Sequence, residues 1–284
     1  NWKIEKSVIK NASVSAQNLG ISQNLIKSIM QKLIDEARYQ QEMYHYSNYT
    51  GAKENILIVG GLGEMGRWFS HFFQNQGHRV SIYDVQGKSD TFKSYESLNQ
   101  GIDHVGYVLI ATGLESVPEV LNKIIKLRFK GVVFDIASLK SYLSKAIQKA
   151  NDKGLSITSI HPMFGPNTRT LSDKVMILCD CGNKTANSSV ERFFKDTALS
   201  IVRLSLEEHD RVISYILGLS HITNIIFMKA LMTGGYKYRE LIKFASTTFL
   251  SQMVTASSVI NENPNLYYEI QQLNPFRKNL FENL

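Results

Sequence analysis

The apolar run Asn55-Ile-Leu-Ile-Val59 leads directly into Gly60-Gly-Leu-Gly-Glu-Met-Gly66, and few folds accommodate that junction. The run is apolar, with β-branched members and no polar alternation, as expected for a strand buried on both faces. The glycines that follow each have a mechanical use in a phosphate-binding turn. Gly61 permits the tight exit from the strand, and Gly63 removes the side chain where a pyrophosphate would approach the backbone. Gly66 lets the next helix pack close to the strand. That helix is expected over 64–76, with Met65, Trp68, Phe69, Phe72 and Phe73 as its apolar stripe and Gly77 as its C′ residue. Its N-terminus offers free N–H groups and the positive end of the helix dipole to an anion.

A second strand follows as Arg79-Val-Ser-Ile-Tyr-Asp84, which puts Asp84 18 residues past Gly66. An acidic side chain at that strand end accepts hydrogen bonds from an adenosine ribose and repels a 2′-phosphate. NAD is therefore expected as cofactor, with Lys88 nearby keeping NADP open. The expected cofactor-binding residues are Gly61, Leu62, Gly63, Glu64, Met65, Gly66 and Asp84, together with Thr112 just past a later strand. The plainer reading is a glycine turn in a doubly wound domain that binds nothing.

Strands and helices alternate from 55 to about 205. Apolar strands are expected near 55–59, 79–83, 106–111, 131–135, 156–160, 174–179 and 200–204, and helices near 64–76, 115–127, 140–151 and 186–197. The alternation implies a parallel sheet with helices on both faces, the last one or two strands antiparallel. After 206 the strand signals stop. One long helical pattern runs from Glu207 to Met232, and further helices are expected near 238–262 and 264–273. Such a helical tail cannot bury its apolar faces alone, so a dimer is expected. Residues 1–47 read as two helices broken at Leu19-Gly20, with Ser22 as a cap and Leu25, Ile26, Ile29, Met30, Leu33, Ile34 and Ala37 recurring at helical spacing.

With 284 residues, 43% hydrophobic and 20% charged, the chain can form two domains and a sizeable core. No run of 18 apolar residues occurs, so a membrane span is not expected. The net charge of +7 and pI near 9.2 raise nucleic acid as a partner, but Lys and Arg are scattered without a dense basic run. An anionic cofactor and an anionic small substrate account for part of the excess. Cys179 and Cys181, two apart, are poor disulfide partners and read as free thiols in a reducing cytoplasm. No Cys/His cluster suggests a metal. The N-terminus lacks the pattern of a signal peptide and an initiator Met, which suggests a piece of a longer product.

Two segments carry candidate chemistry. Strand 131–135 runs into Asp135-Ile-Ala-Ser138-Leu-Lys140, which places Ser138 and Lys140 at the ligand-binding end of the sheet. Ser138 could instead simply cap the helix expected at 140. The next strand runs into Ser159-Ile-His161-Pro-Met-Phe-Gly-Pro166, where Pro162 restricts the backbone of His161 and Gly165-Pro166 turns the chain. A rigid histidine at a strand end can accept a proton from a hydroxyl, or it can be satisfied by backbone bonds in a tight turn. His209 and His221 lie 12 apart on the long helix; His221 reads equally as a buried satisfied histidine or a substrate contact.

These segments, with Glu208-His-Asp210 and Asn263-Pro-Asn-Leu-Tyr-Tyr-Glu-Ile270, resemble prephenate dehydrogenases. The likeness runs from about 54 to 274 and is greatest to the form fused to chorismate mutase. It implies a Rossmann-type α/β domain over 54–205, mostly parallel, followed by an all-helical dimerisation and substrate domain over 206–284. It also implies NAD-dependent oxidative decarboxylation of prephenate to 4-hydroxyphenylpyruvate, on the route to tyrosine. In that reaction His161 would take the C4 hydroxyl proton, Ser138 would orient that hydroxyl, Lys140 would support the site and His221 would lie near substrate. One position departs from the family. Where an arginine grips a substrate carboxylate, this chain has Leu250, and Arg169, Arg239 and Lys243 are the candidate replacements.

Residues 1–47 resemble part of a chorismate mutase helical domain, with Glu5 and Gln41 at mutase-like positions but Ile4 and Ala37 where arginine and serine are expected. Mutase activity is not expected of this chain, and no regulatory ACT-like domain is visible after Pro275. Arogenate dehydrogenase shares the fold and the histidine and is the alternative enzyme. The non-catalytic alternative is an NAD-binding interaction module that uses the 1–47 helices to hold a partner.

Overall fold

In the computed structural model, residues 2–261 and 263–282 are described. Two N-terminal helices, α1 (Trp2–Asn18) and α2 (Gln23–Ser47), precede a mixed α/β domain. It comprises β1 (Asn55–Val59), α3 (Glu64–Asn75), β2 (Arg79–Tyr83), β3 (Lys93–Tyr95), α4 (Leu98–Ile102), β4 (Tyr107–Ile110), α5 (Val117–Lys126) and β5 (Val132–Asp135). α6 (Ser144–Asp152), β6 (Ser156–Pro162), β7 (Val175–Asp180), α7 (Lys184–Glu191) and β8 (Ser200–Ser205) complete it. Among the described residues the sheet has eight strands in the order β3-β2-β1-β4-β5-β6-β7-β8. All neighbours are parallel except β6 and β7, so both final strands run against the rest. The three-residue edge strand β3 was not expected from the sequence, because Lys93-Ser-Tyr95 carries no apolar run.

Alternation within the apolar runs explains the two buried faces. Leu57, Val59, Val108, Ile110, Val133 and Ile157 point to the side covered by α5 and α6. Ile56, Ile58, Leu109, Phe134 and Ile160 point to the side covered by α3 and by Phe193 and Phe194. The stripe Phe69, Phe72 and Phe73 of α3 is core, as its spacing predicts. α2 docks on that same side, where Tyr46 meets Phe72 edge-on at 5.5 Å. Its N-terminal half is less buried than its pattern suggests: Leu25, Ile29 and Leu33 are exposed, while Ile26, Met30 and Ile34 are half-buried. Ser22 occupies the cap position of α2 without a side-chain capping bond.

The C-terminal region is all helical: α8 (Leu206–Ile213), a π-helical stretch over 214–219, α9 (Ser220–Thr233), α10 (Tyr238–Ile242), α11 (Thr247–Ile260), α12 (Pro264–Leu273) and α13 (Arg277–Glu282). The single helix expected over 238–262 is two, because Ser246 caps a new start by accepting the Phe249 N–H at 3.2 Å. The continuous helix Leu206–Thr233, with a mean hydropathy of 1.4 over its most apolar stretch, is long and apolar enough to cross a membrane. Its apolar stretch is interrupted by His221, Asn224 and Lys229, so it is not the uninterrupted apolar run that the sequence expectation looked for. The helix begins by burying His209, Asp210 and Ile213 against the α/β domain.

Candidate active site

β1 lies between β2 and β4, where the order of strands reverses, and open α/β sheets take ligands in the crevice beyond the strand ends there. The glycine series occupies that position. Gly60 has φ +87°, and a Cβ on it would lie 2.6 Å from the Ala111 carbonyl oxygen, so the tight turn belongs to Gly60 and not to Gly61. A Cβ on Gly61 would strike Ile82 at 2.5 Å, and one on Gly66 would collide with the Gly60 carbonyl oxygen, as expected for close helix–strand packing. Gly63 precedes α3 in extended conformation, leaving the first N–H groups of that helix open toward the turn.

The remaining cofactor residues fit the same cradle. The Asp84 carboxylate accepts the Leu62 N–H at 2.9 Å and the Gln86 N–H at 2.9 Å, which braces the turn while leaving lone pairs on both oxygens. Thr112 Oγ1 is buried with no hydrogen-bond partner, and its backbone N borders Gly60. An orphaned hydroxyl beside a glycine cradle and a strand-end carboxylate suit a dinucleotide. Glu64 and Met65 form the first turn of α3, with Met65 packed on the core.

The second half of the site lies at the ends of β5 and β6. Lys140 is completely buried, and its ammonium donates to Asp135 Oδ1 at 2.9 Å and to the Ile160 carbonyl at 2.8 Å. Lys140 is thus a buried brace between β5 and β6, not a side chain reaching into an open site. Ser138 does not cap a helix: α6 begins only at Ser144, and Asp210 accepts the N–H groups of Lys140 and Ser141. Ser138 is half-buried at the strand end with its hydroxyl uncommitted to capping.

His161 is 4% exposed and sits inside β6, where its neighbour Pro162 still pairs with Met176. The segment after it is tied to the glycine helix: Phe164 packs on Trp68 at 5.0 Å, and the Trp68 indole donates to the Thr168 carbonyl at 2.9 Å. His161 Nδ1 lies 2.9 Å from His209 Nε2, and His209 Nδ1 lies 2.7 Å from Asp210 Oδ1. Burial, His209 and Lys140, in that order, hold the His161 pKa well below the usual imidazole range. Burial also lowers that of His209, against the opposing pull of Asp210. A neutral imidazole at a strand end can take a proton.

The expected substrate contacts fare unevenly. His221 is buried, its ring 4.2 Å from that of Tyr267 on α12. Arg169 pairs with Glu36 and stacks on Tyr39 of α2 at 4.4 Å, which draws it to the N-terminal helices. Arg239 and Lys243 are exposed on and just after α10 and have no bond to the His161 network. Leu250 is 43% exposed on α11. Cys179 and Cys181 are buried free thiols, and burial pushes Cys179 up to about 12. Sequence reasoning missed the contact of His209 and Asp210 with His161 and also Glu42, a buried α2 carboxylate that accepts the N–H groups of Leu171 and Ser172. The adjacent His-Asp pair was visible in the sequence, but its distance of 48 residues from His161 hid the contact.

The family model described as "Prephenate dehydrogenase, nucleotide-binding domain" matches residues 70–202. The one described as "Prephenate dehydrogenase, dimerization domain" matches residues 205–283. A probable arogenate/prephenate dehydrogenase of Methanocaldococcus jannaschii is 28% identical over 239 residues, 80% of this chain and 53% of that protein. The chain thus spans about half the length of that relative. A T-protein of Enterobacter agglomerans is 22% identical over 266 residues, 94% of this chain and 69% of that protein. The crystal structure of prephenate dehydrogenase from A. aeolicus in complex with hydroxyphenyl propionate and NAD+ shares the fold. Its TM-score is 0.66 at 20% identity, over 82% of this chain and 88% of that one.

Proposed function

Because the chain belongs to the prephenate dehydrogenase family, we propose that it is an NAD-dependent prephenate dehydrogenase in which His161 is the proton acceptor. The observation that carries this reading is a neutral, buried histidine at the end of β6, tied through Phe164 and Trp68 to the helix that follows the glycine cradle. Bound NAD supplies the hydride acceptor. His161 takes the proton of the C4 hydroxyl as hydride leaves that carbon, and loss of the ring carboxylate as carbon dioxide makes the ring aromatic. Aromatisation supplies much of the driving force, so the chain's task is alignment and removal of one proton. Ser138 supports this role by offering a free hydroxyl at the end of β5. His221 stands as a substrate-side residue of the helical domain.

Asp84 favours NAD over NADP through its position at the end of β2. The second reading is arogenate as substrate, favoured by the M. jannaschii relative, whose name carries both activities. A homodimer through the helical region accounts for the exposure of Ile226, Met232, Phe244 and Val254, and for the apolar face of the helix Leu206–Thr233. The partners are thus a small anionic substrate and a second copy, in the cytoplasm. NADH formation with prephenate and with arogenate, each with NAD and NADP, tests the assignment. Turnover fastest with prephenate and NAD agrees with it; turnover with arogenate alone transfers it to the second reading.

A further inference from the structure

The protonation pattern of the two histidines follows from their partners. Asp210 is completely buried, and each of its oxygens accepts a backbone N–H: Lys140 on Oδ1 at 2.8 Å and Ser141 on Oδ2 at 2.7 Å. A backbone N–H can only donate, so Asp210 is an acceptor at both oxygens. His209 Nδ1, 2.7 Å from Oδ1, is then the donor. A neutral imidazole carries one N–H, which leaves a lone pair on His209 Nε2. His161 Nδ1, 2.9 Å away, must donate to it. That places the lone pair of His161 on Nε2, the ring nitrogen with no bond to any described residue.

We propose that Asp210, acting through His209, selects the Nδ1–H tautomer of His161, and that His209, paired with Asp210, takes the charge of the proton that Nε2 collects. The proposal rests on the assignment of His161 as proton acceptor. As the hydroxyl proton reaches His161 Nε2, the Nδ1 proton passes to His209 Nε2. His161 ends neutral as the opposite tautomer, and His209 ends as an imidazolium paired with Asp210. The C–H electron pair leaves C4 as hydride, which bound NAD would accept. When the ring carboxylate leaves as carbon dioxide, its electron pair reaches the C4 oxygen, which takes the proton back from His161 Nε2 as the relay reverses. The positive charge settles 2.7 Å from a carboxylate instead of on His161, whose neighbour Ile160 holds the Lys140 ammonium. His209 and Asp210 are both completely buried and have no surface for a ligand, so they are positioning residues.

The test combines histidine 15N NMR on the intact chain with steady-state kinetics of Asp210→Asn, His209→Leu and His161→Asn. His209→Leu keeps Asp210 and its two backbone bonds, so it removes the bridge without disturbing that anchor. The expected result is an Nδ1–H His161 in the unaltered protein and loss of that tautomer in both relay variants. Their kcat should fall on the order of 10²–10⁴-fold with KM little changed, as when a buried carboxylate that sets a histidine tautomer is neutralised. An Nε2–H His161 in the unaltered protein overturns the proposal. So does kcat within about threefold of the original in both relay variants while His161→Asn is inactive; that outcome leaves His161 as the base. If no substrate is turned over at all, the function assignment fails, and the tautomer of His161 alone decides the relay.

Discussion

Replacing Lys140 by methionine tests how the buried ion pair supports the site. The side chain is 0% exposed and its ammonium gives bonds of 2.9 Å to Asp135 and 2.8 Å to the Ile160 carbonyl. Methionine fills much of the same volume and removes the charge, leaving Asp135 with the Ala137 N–H at 2.9 Å as its remaining bond on Oδ1. Breaking a buried pair from one side costs about 3–5 kcal/mol, because the surviving charge is uncompensated. At roughly 2–4 °C per kcal/mol for a chain of this size, Tm should fall by about 6–20 °C. The double variant Lys140→Met, Asp135→Asn removes both charges and should recover most of that loss, since neutral replacement of a buried pair is often nearly neutral. The same substitution acts on His161. Lys140 is one of the groups that lower its pKa, so removing the lysine raises it. The base works deprotonated, so activity is lost as pH falls through its pKa, and the acid limb of kcat/KM should move to higher pH. Calorimetry and a pH–rate profile read both effects. A Tm for Lys140→Met within about 2 °C of the original, or a double variant no better than the single, would refute the ion-pair reasoning. An unmoved acid limb would remove Lys140 from the electrostatics of His161.

Two further substitutions probe the parts that hold the site in place. Gly66→Ala puts a methyl against the Gly60 carbonyl, backbone against backbone, so about 1–3 kcal/mol of overpacking strain and at least tenfold weaker NAD binding are expected by titration calorimetry; unchanged affinity contradicts the cradle. Glu42→Ala strips the Leu171 and Ser172 N–H groups, now accepted at 2.7 and 2.9 Å, of their carboxylate. At about 1–3 kcal/mol for each buried donor left unsatisfied, stability should drop by roughly 2–6 kcal/mol in denaturant unfolding, and a change below 1 kcal/mol would mean that α2 is only loosely docked.

Local patterning made most of the α/β domain readable. Ile56 to Val59 announce a two-sided strand, the glycines announce the turn, and Phe69, Phe72 and Phe73 announce the covering helix. β3 was invisible because it is held by backbone pairing to β2 without apolar side chains of its own. The break before Ser246 was hidden because apolar spacing continues through it, and only the capping bond ends the pattern. Within the site, His161 was legible because Pro162 and Gly165 mark a fixed strand exit. Its partner His209 was not, since their contact depends on how α8 crosses the sheet, a tertiary outcome that no local period encodes. Arg169 has partners that its place in the sequence does not show: it pairs with Glu36 and stacks on Tyr39 of α2, contacts set by how that helix docks.

The most direct test of the central claim is NADH formation from prephenate by His161→Asn, measured beside NAD binding to the same variant. The account predicts a fall in kcat on the order of 10²–10⁴-fold with NAD affinity retained, because the imidazole takes the proton while the glycine cradle holds the cofactor. Turnover equal to that of the unaltered chain would contradict it.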